Sequence, residues 1–207
     1  GQSLSNLDLQ NVVFISSELY QNICQNYISD FKKQHIFSFE ENAKIRVLFM
    51  ASDNSKVSGA FRCMVELCAM LRERGIAVAV ILPHYGSGVC LLSQKNIPYT
   101  YIESKDWGYK ISQNHNLLEK LKFFIALQSN QKAKRELIKL IRECSVSLVH
   151  CNTTYTYIGA VAAQACGIPY IWHLRENMEN QGYRIFDEKN AMKLIQGADG
   201  WIAVSNY

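Results

Sequence analysis

Short apolar runs alternate with segments of helical periodicity along most of this chain. The apolar runs predict strands at 45–51, 77–82, 99–102, 147–151, 170–173 and 200–204. The segments between them predict helices at 59–74, 89–94, 116–144, 155–166 and 188–195, with a break in the third near Ser129 and Asn130. Because the strands show little polar alternation, helices are expected to cover both faces of the sheet. The pattern predicts an α/β domain with a doubly wound, parallel, Rossmann-like sheet.

The first 43 residues follow a different pattern. Apolar side chains recur there at roughly helical spacing, at Leu9, Val12, Val13, Leu19, Ile23, Tyr27 and Phe31. A polar connection then leads to Lys44. We therefore expect an amphipathic helical extension at 1–43 that is separate from the parallel sheet, and an α/β domain at 44–207.

Composition narrows the class of protein. The chain has 207 residues, a length that suits one domain of ordinary size, and its net charge of +4 is too small to indicate a nucleic-acid partner. Its seven cysteines form no Cys-x-x-Cys pair and no cluster with other metal ligands, so we expect free thiols in a reducing compartment and no metal site. Since no apolar run is long enough to span a membrane, the expected location is the cytoplasm.

Polar side chains follow two of the predicted strands where each ends. The segments Leu148–Thr153 and Tyr170–Glu176 are each an apolar run that ends in reactive groups. In an open parallel sheet, the carboxyl ends of the strands share one edge, and ligands bind there. The candidate binding residues are His150, Asn152, Thr153, His173, Arg175 and Glu176. His173 could orient a hydroxyl group or take its proton, and Arg175 suits a phosphate or a carboxylate.

Ser58 and Gly59 open the first predicted helix of the α/β domain. The free backbone N–H groups and the dipole at a helix N-terminus suit a phosphate, and glycine lets a ligand approach closely. A plain N-cap by Ser58 explains the same residue without any ligand. All three strand ends are expected to line one cleft.

Three classes of function are compatible with this kind of fold. A sugar-nucleotide epimerase or oxidoreductase would need Gly-x-Gly-x-x-Gly after the first strand and an acidic residue after the second. The chain has the loop Ser52–Gly59 and Pro83-His84 at those places. A non-enzymatic binding or receiver module would need an acidic pocket, and only Asp53 lies nearby. The third class is the one implied by the family that the chain's motifs resemble.

Four segments of the chain carry short motifs: Ser58-Gly59 followed by Leu67–Gly75, Val149–Thr153, Ile171–Glu176 and Ala198–Ser205. Together they resemble the N-terminal, acceptor-side domain of family 4 glycosyltransferases of the GT-B fold. The resemblance covers about 44–207. Asn152 stands where many members carry the second His of a His-x-His pair.

The resemblance implies an enzyme of surface-polysaccharide synthesis that moves a sugar from a nucleotide-sugar donor to a glycan or lipid-linked acceptor. Ser58 and Gly59 would meet the donor phosphate, and His173 would be catalytic. The acceptor would contact His150, Asn152, Thr153, Arg175 and Glu176. The nucleotide sugar is a substrate, and no cofactor is implied. The donor-binding domain is expected after Tyr207, so the 207 residues alone are expected to be inactive.

The stretch 119–143 carries more basic than acidic residues. Two interpretations explain this pattern equally well: a charged helix face in contact with solvent, and a surface that docks on anionic lipid. The second interpretation would place the protein at the inner face of the cytoplasmic membrane, where a lipid-linked acceptor would lie.

Overall fold

The computed structural model describes residues 37–40, 42–110, 117–175 and 182–204. Its strands are β1 (Arg46–Met50), β2 (Ala77–Leu82), β3 (Tyr99–Tyr101), β4 (Gly108–Lys110), β5 (Leu148–Cys151), β6 (Tyr170–Leu174), β7 (Tyr183–Ile185) and β8 (Gly200–Ala203). Its helices are α1 (Gly59–Glu73), α2 (Val89–Gln94), α3 (Leu117–Glu143), α4 (Ile158–Cys166) and α5 (Glu188–Gln196). The predicted helix at 1–43 falls almost entirely outside the described residues.

Six of the strands form one parallel sheet in the order β3-β2-β1-β5-β6-β8. The chain builds outward from β1 to one edge, returns to place β5 against β1, and then builds outward to the other edge. The predicted α/β, Rossmann-like class is therefore confirmed. The point where the direction reverses lies between β1 and β5, and in such sheets ligands bind outside the carboxyl ends of the strands at that point.

Each face of the sheet is buried under helices. Leu48 and Met50 of β1 belong to the core on the side of α3 and α4, whereas Val47 and Phe49 belong to the core under α1. This alternation follows from the two-residue period of a strand. Phe39 also packs into the first of these cores, with 8% of its surface exposed, so core packing begins ahead of residue 44.

Helix α3 runs without the break expected near Ser129 and Asn130. Asn130 is 2% exposed, and its side chain bonds to groups outside the helix. Its amide Nδ2 donates to the backbone oxygen of Lys105 at 2.8 Å, and its Oδ1 accepts from the N–H of Lys105 at 2.8 Å. The hydrogen-bonding groups of the Asn130 side chain are thus paired with a neighbouring loop. They therefore do not compete for the backbone hydrogen bonds of their own helix.

Helix α4 begins at Ile158, three residues later than predicted. Two buried indole groups hold the preceding segment as a loop. The indole N–H of Trp172 donates to the Thr153 carbonyl at 2.8 Å, and that of Trp107 donates to the Thr154 carbonyl at 2.6 Å. Because these bonds fix the loop backbone, the segment that follows β5 has a defined shape beside the sheet edge.

The short strands β4 and β7 form an antiparallel pair that the sequence did not predict. Trp107 directly precedes β4 and Phe186 directly follows β7. The Phe186 N–H donates a hydrogen bond of 2.8 Å to the Trp107 carbonyl. This pair therefore ties the loop after β3 to the segment before α5. Among the described residues, no helix is both long and apolar enough to cross a membrane.

Candidate functional site

Asn152 joins three of the strand ends that were predicted to meet. It follows β5, and its backbone N–H donates to the Met50 carbonyl at the end of β1. Its Nδ2 donates to the Ala60 carbonyl in the first turn of α1 at 3.3 Å. Its Oδ1 and its carbonyl accept from Nε of Arg175, which follows β6, at 3.3 and 3.1 Å. The side chain is 1% exposed, so Asn152 holds the site together from within.

His173 and Arg175 form the second link of this network. Nη2 of Arg175 lies 3.1 Å from Nδ1 of His173. A guanidinium group can only donate, so Nδ1 accepts and the ring proton of the neutral imidazole sits on Nε2. Burial, followed by the charge of Arg175, lowers the pKa of His173 from 6.5 to about 4. At neutral pH, His173 is therefore an uncharged hydrogen-bond donor through Nε2. Of the two roles that the sequence suggested, this tautomer favours orienting an oxygen atom over taking a proton.

His150 lies beneath His173 in the neighbouring strand. It is 2% exposed, its ring stacks on Phe49 at 4.4 Å, and the two histidine rings are 5.5 Å apart. Burial lowers its pKa to about 3, with smaller contributions from the charges of His173 and Arg175. Its Nε2 has no hydrogen-bond partner among the described residues. A side chain with so little exposed surface is not placed to contact a ligand directly, but its ring contacts that of His173.

Ser58 caps α1 and also binds a carboxylate. Its Oγ accepts from the Phe61 N–H at 3.3 Å and donates to Oδ2 of Asp53 at 2.7 Å. A Cβ atom built on Gly59 would meet nothing within 4 Å, so the space beside the helix N-terminus is open. Asp53 already places a negative charge there, and it competes with any phosphate for the positive end of the helix dipole.

The sequence pattern that defines "Glycosyltransferase Family 4" matches residues 57–207, which include all of the elements described above from α1 onward. The chain belongs to glycosyltransferase family 4. Among proteins with curated functions, none matches the chain significantly.

Solved structures share the fold of this family 4 chain. HepE of Anabaena, in complex with UDP-glucose, matches with a TM-score of 0.55 at 22% identity, over 78% of this chain and 38% of that one. MurG of Acinetobacter baumannii matches with a TM-score of 0.53 at 19% identity, over 78% of this chain and 42% of that one. The chain thus spans about two-fifths of the length of these proteins, and at these identities the likeness shows the fold alone.

The remaining predicted residues of the family 4 chain occupy different positions. Thr153 is 1% exposed, and its Oγ1 accepts from the N–H of Tyr155 in its own loop. The structure thus gives this hydroxyl a part in shaping the loop. Cys151, beside His150, is fully buried, which raises the pKa of its thiol to about 12. Glu176 lies outside the described residues.

Two contributors to the site were missed. Asp53 follows β1 at the sheet edge, and this position after a strand could have indicated it as a site residue. Its hydrogen bond with Ser58 could not be predicted from the spacing of the two residues. Trp107 lies in a loop with no motif, and only the fold shows that it fixes the segment after Asn152. In the described part of the chain, no group of three His, Cys, Asp or Glu side chains could hold a metal ion.

Proposed function

We propose that this family 4 chain is the acceptor-side domain of an enzyme that transfers a sugar from a nucleotide-sugar donor to a glycan or lipid-linked acceptor, in the synthesis of a surface polysaccharide. The observation that carries the proposal is the network in which Asn152 joins Arg175 and His173 to the first turn of α1. It supports the proposal because it lies at the strand-order reversal of a family 4 domain. HepE was solved with UDP-glucose, which supports a nucleotide-sugar donor.

In this proposal, His173 is the catalytic residue because it offers Nε2–H to a reacting oxygen. Arg175 and Asn152 are positioning residues: Arg175 fixes the tautomer of His173, and Asn152 fixes Arg175. His150 supports the ring of His173 from below, and Thr153 shapes the loop. An uncharged donor that Arg175 holds in place can stabilise developing negative charge on an oxygen without rearrangement during the reaction.

The donor phosphate is proposed to lie at the N-terminus of α1, beside Ser58 and Gly59. The open space at Gly59 leaves room for a ligand. The carboxylate of Asp53 opposes an anion there, so the phosphate must displace the Asp53–Ser58 contact or be accompanied by another positive charge. Asp53→Asn should therefore strengthen nucleoside diphosphate binding if the phosphate lies at this end of the helix.

The basic face of α3 is proposed to contact an anionic membrane on the cytoplasmic side. Lys132, Arg135, Lys139 and Arg142 are all exposed. Lys132 pairs with Glu136 at 3.8 Å and Lys139 with Glu143 at 3.7 Å, and exposed pairs of this kind are weak enough to open. Co-sedimentation with vesicles of phosphatidylglycerol, compared with phosphatidylcholine, tests this contact. Equal binding to both would assign the charges to a solvated face.

The transfer proposal is tested with purified enzyme in which this domain is joined to its proposed donor-binding domain, using a panel of nucleotide sugars and extracted lipid or glycan acceptors, with release of nucleoside diphosphate as the readout. His173→Ala should lower kcat/KM by on the order of 100-fold or more while the fold persists. His84→Ala is the matched control because His84 is exposed and lies outside the network. Near-normal turnover of His173→Ala would remove His173 from the chemistry, and no turnover with any donor would overturn the proposed activity.

A further inference from the structure

A groove of about 410 Å³ lies on the face of the sheet that α3, α4 and α5 cover, and its lining includes neither Asn152 nor His173. Side chains from α3, α4 and α5 form its walls, and Trp107 and Phe186 close it near the β4–β7 pair. None of the predicted site residues that the structure describes lines it. Its volume lies within the range of roughly 300–1,000 Å³ that is usual for small-molecule sites.

The lining of this groove combines aromatic rings with amide groups. Tyr157 and Phe186 supply ring surface, and Tyr157 stacks on the buried Trp107 at 4.6 Å with nearly parallel planes. Gln131 of α3 and Gln164 of α4 contribute amides. Each amide carries both a donor and an acceptor, as a sugar hydroxyl does, whereas the rings match the apolar C–H faces of a sugar.

The charges in the groove favour a neutral ligand. Among the described residues, only Asp187 and Lys193 bring ionised side chains to its lining, and their charges balance. Asp187 has a left-handed backbone (φ 52°), and its Oδ2 accepts from Nδ2 of Asn190 at 2.6 Å. This bond sets the amide of Asn190 beside the carboxylate at the groove. A free phosphate or an acidic lipid would find no excess of positive charge on these described side chains, unlike on the basic face of α3.

We propose that this groove binds a neutral saccharide, at a site separate from the candidate catalytic residues. The aromatic walls would pack against the sugar rings, and the amides of Gln131 and Asn190 would bond to their hydroxyl groups. The site would hold a glycan to the domain independently of whether the sheet edge performs transfer. The binding proposal can therefore be tested independently of the proposed transfer activity.

The test is binding of the purified protein to an array of neutral and anionic oligosaccharides, followed by calorimetric titration with the best-bound neutral oligosaccharide. Gln131→Ala and Asn190→Ala should each weaken binding by roughly two- to tenfold, because each removes a hydrogen bond to the ligand. Both side chains are exposed, so neither change is expected to unfold the protein. Circular dichroism spectra of the variants check this point.

Two control variants show whether the saccharide binds in the groove or elsewhere on the domain. Gln196→Ala lies on α5 but outside the groove lining, and it should bind as the wild type does. His173→Ala should also keep full saccharide binding, even if it abolishes transfer. The proposal is overturned if no neutral glycan binds, if only anionic glycans bind, or if binding survives the Gln131 and Asn190 changes. A dimer that these changes dissociate would assign the groove to a second copy of the chain, and it would also overturn the proposal.

Discussion

Mild acid should destabilise this domain through two buried histidines. His150 and His173 are 2% and 8% exposed, and burial lowers their pKa values from 6.5 to about 3 and about 4, respectively. In the unfolded chain both return to their usual value, so between pH 6.5 and about 4 the unfolded state binds more protons than the folded state. The free energy of unfolding must therefore fall as the pH is lowered through this range.

The size of the effect follows from the two pKa values. At pH 5, the protonated form of an unfolded histidine with a pKa of 6.5 exceeds the neutral form about 30-fold. The two histidines of the folded state stay almost wholly neutral at this pH. This difference costs about 2 kcal/mol for each histidine, or about 4 kcal/mol for both, relative to neutral pH. A domain is typically stable by about 5–15 kcal/mol, so the loss is a large share of the total.

The assay is urea unfolding at pH 7 and pH 5, comparing the wild type with a His150→Leu, His173→Gln double variant. The double variant should lose about 4 kcal/mol less than the wild type between the two pH values, whatever its stability at pH 7. His84→Gln is the matched control, because His84 is exposed, and it should behave as the wild type does.

If the double variant does not fold, titration of the histidine ring protons by nuclear magnetic resonance in the wild type measures the same pKa values directly. A pKa near 6.5 for both His150 and His173 would refute the reasoning. It would mean that their rings are hydrated or that Arg175 lies elsewhere.

Three further changes test individual contacts. Arg175→Gln should raise the pKa of His173 because it removes a positive charge beside the ring, and ring-proton titration measures the shift; an unchanged pKa would leave burial as the sole cause. Ser58→Ala should lower the free energy of unfolding by about 1 kcal/mol through loss of the cap to the Phe61 N–H, measured in urea; an unaltered midpoint would show that the cap does not contribute. Asn130→Ala should cost about 1–3 kcal/mol, because it removes two hydrogen bonds between a buried side chain and the Lys105 backbone; thermal unfolding measures this, and a loss below about 0.5 kcal/mol would contradict it.

The sheet could be predicted because its strands are buried on both faces. Runs such as Ala77–Leu82 are apolar throughout, and a glycine marks the end of some of the helices between them, as Gly167 (φ 67°) does for α4. The β4–β7 pair could not be predicted. Each strand has three residues, and more than seventy residues separate them along the chain, so no local pattern links Tyr109 to Arg184.

Sequence patterns could predict which polar residues meet at the sheet edge, but not all of their contacts. Polar residues after β5 and β6 indicated the sheet edge, and Asn152, His173 and Arg175 meet there. A polar side chain after a strand can face a ligand or its own loop, and spacing does not distinguish the two. Thr153 bonds within its own loop, and the orientation of the His173 ring depends on a guanidinium group whose position only the fold determines. The groove could not be predicted because its lining residues come from segments that lie far apart along the chain.

The strand order also dictates when the domain can assemble during synthesis. β1 pairs with β2 soon after it is made, but its other edge is completed by β5, and Arg46 donates its backbone N–H to Ser147, 101 residues later. Roughly 70 residues separate the end of β2 from the end of β5, which takes about 4–14 s at ribosomal rates of about 5–20 residues per second. Throughout that interval, the strand that becomes the centre of the sheet is an open apolar edge, which is the form most prone to aggregation. The nascent chain is therefore expected to require chaperone protection until Cys151 has left the ribosome.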